Sequence, residues 1–170
     1  MSPADALGLV RALAVIPIVI AIALGNLPLA LVLFILAALT DAIDGPLARR
    51  TGAVGARGAF IDPLADKILV VGTLAGLAFA GDIAGWIVAL VAARETAVAA
   101  ARAVTYSRGV RLSAGGLAKL KTVGEMCGTL LLLVGGAPFT ALGTGLVVAA
   151  LAVGLMTLPH YLPRRAPRLA

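Results

Sequence analysis

Six apolar runs of about twenty residues, separated by glycine- and proline-bearing breaks, constrain this chain most. They lie at about 7–24, 29–49, 59–80, 84–106, 116–134 and 139–160. The breaks are Gly25-Asn26-Leu27-Pro28, 52–58, 81–85, 109–116 and Gly135-Gly136-Ala137-Pro138. A helix of about 20 residues spans the ~30 Å hydrocarbon core of a bilayer, whereas a barrel strand needs only about half as many. The expected fold is therefore all-α: an integral membrane bundle of six transmembrane helices, read as one membrane domain over residues 1–170 with no soluble domain. Composition agrees. The chain is 61% hydrophobic and 13% charged, with a mean hydropathy of +1.08, against about 25% charged in soluble domains. No small-residue cleavage site follows the first run, so it reads as a retained span rather than a signal peptide.

Charge orients the bundle. The first, third and fifth connections hold no Lys or Arg. The second holds Arg50 and Arg57, the fourth is flanked by Arg108, Arg111, Lys119 and Lys121, and the tail carries Arg164, Arg165 and Arg168. Cations concentrate on the cytoplasmic side, so both termini are expected there, in a multi-pass protein of the cell's inner membrane. The net charge of +6 then marks a membrane surface rather than a nucleic-acid partner. The single cysteine, Cys127, excludes an intramolecular disulfide.

Against this background, residues 41–66, DAIDGPLARRTGAVGARGAFIDPLAD, hold four of the eight acidic residues. A charged side chain at a bilayer centre costs ~2.5–3.5 kcal/mol on insertion scales and needs a reason to be there. Asp41 and Asp44 are three apart and Asp62 and Asp66 four apart, so each pair shares a helix face. One pair lies at the end of the second span and the other at the start of the third, at similar depth. Facing carboxylates repel, and hard divalent cations with oxygen ligands, magnesium or manganese, relieve that repulsion. Helix capping and ion pairs with Arg49 and Lys67 would account for one such pair, not for two flanking a hairpin. Gly45 and Ala48 leave room for a ligand beside the acids, and Arg49 offers a fork suited to phosphate. Metals, small residues and an arginine read as a diphosphate-binding site, and a carboxylate one turn beyond the metal ligands can serve as a base. Pro46 should kink the second span near Asp44.

A second polar cluster is expected to face this one. Arg94 and Glu95 lie deep in the fourth span, with Arg102 two turns on; Lys119, Lys121 and Glu125 open the fifth. Neighbours in sequence, Arg94 and Glu95 do not share a helix face, which predicts that one pairs structurally while the other serves a ligand. The cation surplus points to a second anionic group, a phosphomonoester, bound by Arg94, Lys119 and Lys121, although headgroup snorkelling would also explain the two lysines.

Asp41-x2-Asp44-Gly45-x2-Ala48-Arg49-x8-Gly58-x3-Asp62-x3-Asp66 resembles the full signature of the CDP-alcohol phosphatidyltransferases, in every fixed position and spacing. The secondary motifs GAFIDPLADKILV, Ala93-Arg94-Glu95 and Lys119-Leu120-Lys121-Thr122 resemble most the bacterial branch that uses sn-glycerol 3-phosphate. The resemblance implies a six-helix, usually homodimeric membrane enzyme with a cytoplasm-facing cavity open to lipid. It implies two divalent cations, Mg2+ or Mn2+, on Asp41, Asp44, Asp62 and Asp66, with Asp66 also the catalytic base. It implies that CDP-diacylglycerol is bound by Gly45, Ala48, Arg49 and Gly58, that the acceptor hydroxyl attacks the phosphorus bearing the lipid, and that CMP leaves. Where relatives carry Asn-x2-Thr-x2-Arg before the first span, this chain has Asp5, Gly8 and Arg11, and only the arginine is retained. Alternatives with the same chemistry are phosphatidylglycerol as acceptor, as in a cardiolipin synthase, or an inositol phosphate. A cation transporter is the alternative of a different class, but the acids cluster at one face and form no ladder across the bilayer.

Overall fold

The structure, a computed structural model, describes the backbone of residues 3–51, 58–107 and 116–158 and the side chains of residues 8–40, 67–105 and 116–158. Six helices account for nearly all of it: α1 (Pro3–Ala23), α2 (Leu27–Thr51), α3 (Gly58–Ala80), α4 (Gly85–Ser107), α5 (Gly116–Val134) and α6 (Ala137–Thr157). There is no strand among the described residues.

The helices follow the apolar runs, and their ends differ from expectation where local chemistry intervenes. Asn26 Oδ1 accepts a hydrogen bond from the Leu29 amide at 3.1 Å. This N-cap starts α2 at Leu27, with Pro28 inside the first turn, where a missing N–H costs nothing. Pro138 plays the same part in α6, which begins at Ala137 rather than 139. At the other end α6 is described to Thr157, and Leu158 keeps helical dihedrals (φ −56, ψ −42) with its amide donating to the Leu155 carbonyl; residues 159 and 160 lie outside the described residues. The helix α2 continues through Pro46 to Thr51; the side chains around the expected kink lie outside the described residues.

Tight turns reverse the chain after α1, α3 and α5. Gly25 (φ 72) and Gly81 (φ 89) close Schellman motifs, in which Asn26 N–H donates to Ala21 O and Asp82 N–H to Leu77 O, both at 2.9 Å. The connection 52–57 is too short to carry the chain back along a helix of more than ~30 Å, at about 3.5 Å per residue, and the Lys121–Glu95 contact ties the first turns of α5 to α4. Successive helices therefore alternate in direction. The Asp-bearing end of α2, the start of α3, the end of α4 and the start of α5 gather at one end of the bundle. The turns at the opposite end contain no Lys or Arg.

Packing is tightest between α5 and α6 and between α1 and α3, and glycine makes both approaches close. A Cβ on Gly72 would lie 2.4 Å from Val15 Cγ2, and one on Gly143 would lie 2.7 Å from the Gly128 carbonyl oxygen. Backbones in such near contact replace the hydrophobic force that is absent between helices in lipid. Gly143→Ala is thus expected to destabilise the bundle by about 1–3 kcal/mol, because the neighbour is backbone and cannot swing aside. Gly145→Ala, two positions along α6 and with nothing within 4 Å, should be neutral or mildly stabilising. Thermal unfolding of the two variants in detergent compares them directly; equal midpoints would remove the close-approach explanation.

Polarity is turned inside out. Phe79, Leu24 and Met156 are 97%, 78% and 75% exposed, while Arg11, Arg94, Glu95, Lys121 and Glu125 are buried. The buried hydroxyls of Thr73 and Thr129 donate to carbonyls four residues back at 2.8 Å, which satisfies them without water. By length and composition α6 alone, at a hydropathy of 2.1, passes as a span among the described residues. The stretches Gly8–Ala23, Leu27–Thr40 and Lys67–Ala80 are apolar but shorter.

Candidate active site: a charged cluster inside an apolar bundle

The helices α3, α4 and α5 enclose a cavity of about 330 Å³, walled by Val70, Val71 and Val98 and by most of the charged groups of the bundle interior. Five cations line it, Lys67, Arg94, Arg102, Lys119 and Lys121, with two carboxylates, Glu95 and Glu125. The formal surplus is three positive charges. Since isolated charge is strongly disfavoured in an apolar interior, cations there are held by partners or await an anion.

Glu95 is the hub. Its Oε2 lies 3.0 Å from Lys67 Nζ on α3, and its Oε1 contacts both Arg94 Nη1 at 2.5 Å and the Lys121 ammonium on α5. Lys67 Nζ also donates to the Glu95 carbonyl at 3.4 Å. Lys121 reaches Glu125 Oε2, four residues on, at 2.8 Å. Arg94 extends the network to α6: Nε and Nη2 donate to the Gly154 carbonyl at 3.3 and 3.2 Å, and Nη2 to Thr157 Oγ1 at 3.2 Å. Gly154 permits this approach, since a Cβ there would come within 3.0 Å of Arg94 Nε. The network ties four helices together in a medium of low dielectric, where removing one member of a buried pair costs about 3–5 kcal/mol.

This geometry corrects one expectation. Arg94 and Glu95 pair with each other rather than dividing between a structural and a ligand role, because long side chains from adjacent positions can curl toward the same interior. Arg94 sits inside a protein-made clamp, Lys121 is 4% exposed between two carboxylates, and Lys119 is exposed on the cavity wall. Lys67, read from sequence only as a partner for Asp66, belongs to the cavity. Its membership, like the clamp of Gly154 and Thr157, had no local signal, because it depends on which helices meet.

The other expected residues fall differently. Asp41, Asp44, Gly45, Ala48 and Arg49 lie on the last turns of α2, and Gly58, Asp62 and Asp66 on the first turns of α3. Their side chains lie outside the described residues. The two helical segments that carry the paired carboxylates are joined by the connection 52–57. The donor set is all oxygen, which suits a hard divalent ion. Lys67 follows Asp66 directly on α3, so the carboxylate segment runs into the cationic cavity. Arg11, the retained arginine of the altered N-terminal motif, is 2% exposed within α1.

Comparison with known proteins bears on these arrangements. A "Probable phosphatidylglycerophosphate synthase" of Mycobacterium tuberculosis is 42% identical over 90 residues, 53% of this chain and 43% of the relative. A "CDP-diacylglycerol--glycerol-3-phosphate 3-phosphatidyltransferase" of Bacillus subtilis is 38% identical over 108 residues, 64% of this chain and 56% of the relative. A protein of the same name from Rickettsia bellii is 35% identical over 127 residues, 72% of this chain and 70% of the relative. The match spans about half the length of the first two relatives. The family model described as CDP-alcohol phosphatidyltransferase matches residues 1–157, and the chain belongs to that family of membrane-bound transferases.

Proposed function

We propose that this protein transfers a phosphatidyl group from CDP-diacylglycerol to sn-glycerol 3-phosphate, giving phosphatidylglycerophosphate and CMP in phospholipid synthesis. The observation that carries the acceptor is the surplus of cations around the cavity beside the signature helices. A lining rich in lysine and arginine favours a phosphomonoester over an uncharged alcohol. The relatives' names, which state glycerol 3-phosphate as substrate, support the same choice.

In this reading Asp41, Asp44, Asp62 and Asp66 hold two divalent cations, Mg2+ or Mn2+. When bound, those ions neutralise the diphosphate oxygens and the charge that develops at phosphorus. Gly45, Ala48, Arg49 and Gly58 bind the CDP portion, Arg49 through its guanidinium fork. Asp66 takes the proton from the acceptor hydroxyl. The hydroxyl oxygen bonds to the phosphorus that carries diacylglycerol, and the bond from that phosphorus to the bridging oxygen breaks, releasing CMP. Lys119 on the cavity wall meets the acceptor phosphate, while Arg94 and Lys121 add positive potential from within the Glu95 network. The chain acts as a single six-span membrane domain and pairs with a second copy. The cation asymmetry supports orienting the carboxylate end toward the cytoplasm, across the inner membrane.

Inverted membrane vesicles containing the protein, supplied with CDP-diacylglycerol and a panel of acceptors, test activity and orientation together. Glycerol 3-phosphate does not cross the bilayer unaided, so phosphatidylglycerophosphate should form in inverted vesicles and not in sealed right-side-out ones. Exclusive use of phosphatidylglycerol would make the protein a cardiolipin synthase. Product from right-side-out vesicles alone would reverse the orientation.

A further inference from the structure

Lys67 stands apart from the other cations bound to Glu95. Its side chain is 22% exposed, against 5% for Arg94 and 4% for Lys121, and it lines the cavity. Arg94 has four hydrogen bonds to protein groups from its five N–H donors, and Lys121 is enclosed by two carboxylates. Those two cations are largely consumed in holding helices together. Lys67 is held on one side by the Glu95 carboxylate and carbonyl, while its remaining surface faces the cavity. It also occupies the position directly after Asp66, so one helix delivers both a reacting carboxylate and a cation next to it.

We propose that Lys67, positioned by Glu95, contacts the phosphate of the acceptor and sets its specificity for a phosphomonoester. The inference rests on the transferase reading above and assigns within it a residue that the signature does not contain. Glu95 is a positioning residue here. It fixes the lysine stem, and the incoming phosphate adds to the exposed side of the ammonium without displacing the carboxylate. Anchoring α3 to α4 in this way also keeps the phosphate at a fixed distance from Asp66, so that the hydroxyl at the other end of a short acceptor meets the base.

Steady-state kinetics on detergent-solubilised full-length protein test the proposal. Lys67→Met, which keeps the stem, should raise the KM for glycerol 3-phosphate on the order of 10–100-fold, the scale of a lost charge-assisted hydrogen bond, and leave the KM for CDP-diacylglycerol unchanged. Lys67→Arg should recover most of the loss. Glu95→Gln should shift the same KM, and the double variant should be no worse than Lys67→Met alone, since both act through one contact. A Glu95 with a purely structural role would instead change stability and both KM values, with additive effects. If Lys67→Met does not assemble, Lys67→Gln serves the same comparison. An unchanged glycerol 3-phosphate KM, or a rise confined to CDP-diacylglycerol, overturns the role of Lys67 while leaving the transferase standing. A wild-type protein that ignores glycerol 3-phosphate overturns the transferase reading itself.

Discussion

Removal of divalent metal with excess EDTA is expected to abolish phosphatidyl transfer, and magnesium or manganese to restore it. The reason lies in the charge balance of residues 41–66. Four carboxylates placed on the meeting ends of α2 and α3 cannot all ionise side by side without a counter-charge. Among the described cations, Lys121 is bound to Glu95 and Glu125, and Arg94 and Lys67 to Glu95. Two divalent cations would balance the four carboxylates and supply Lewis acidity toward the diphosphate oxygens. Asp44→Ala should then weaken metal and nucleotide binding together, by at least the 10–100-fold typical of losing even an outer-shell partner of a metal ligand. Calorimetric titration with manganese, followed by CDP-diacylglycerol binding with and without metal, separates the two. Full turnover after rigorous chelation would remove the metal site. Unchanged nucleotide affinity in Asp44→Ala would remove that residue from it.

Much of the fold was legible because lipid leaves few solutions. Six apolar runs could become only helices, and the breaks between them are turns whose glycines and asparagine have identifiable duties at Gly25, Asn26 and Gly81. The errors at helix ends share a cause. Prolines 28 and 138 were read as breakers, although a proline in a first helical turn starts a helix as readily as it ends one. The candidate site divides in a similar way. The aspartates are a reading of two local spacings, and their side chains lie outside the described residues. The Glu95 hub was not legible in this way. Its partners come from positions 67, 94 and 121, and only tertiary packing decides that these meet. Helical periodicity argued against an Arg94–Glu95 contact, because it describes where Cβ atoms point and not where long side chains end. Gly154 gave no signal at all: its part is to be small where a guanidinium needs a carbonyl.

The sharpest expected loss from a single conservative change is at Asp66. Asp66→Asn should lower kcat by on the order of 10²–10⁴, the usual contribution of a general base, with CDP-diacylglycerol binding largely kept. Asp66 is one turn past Asp62 on α3 and immediately before Lys67. In the proposed reading Asp66 shares a metal with Asp62 and its other oxygen takes the proton of the attacking hydroxyl. Asparagine preserves the shape and one oxygen ligand but has no basicity. This is why the substitution should separate chemistry from binding, whereas Asp41→Asn or Asp62→Asn should disturb both. The contrast with Lys67 is equally specific: Lys67→Met should act on the KM for glycerol 3-phosphate, and Asp66→Asn on kcat. The two variants therefore divide neighbouring residues of one helix into a group that holds the acceptor and a group that activates it. Rapid-quench measurement of a single turnover, with both substrates saturating, reads the chemical step without the binding terms. A near-normal rate there in Asp66→Asn would reassign the base to another group while leaving the family and the metal site intact.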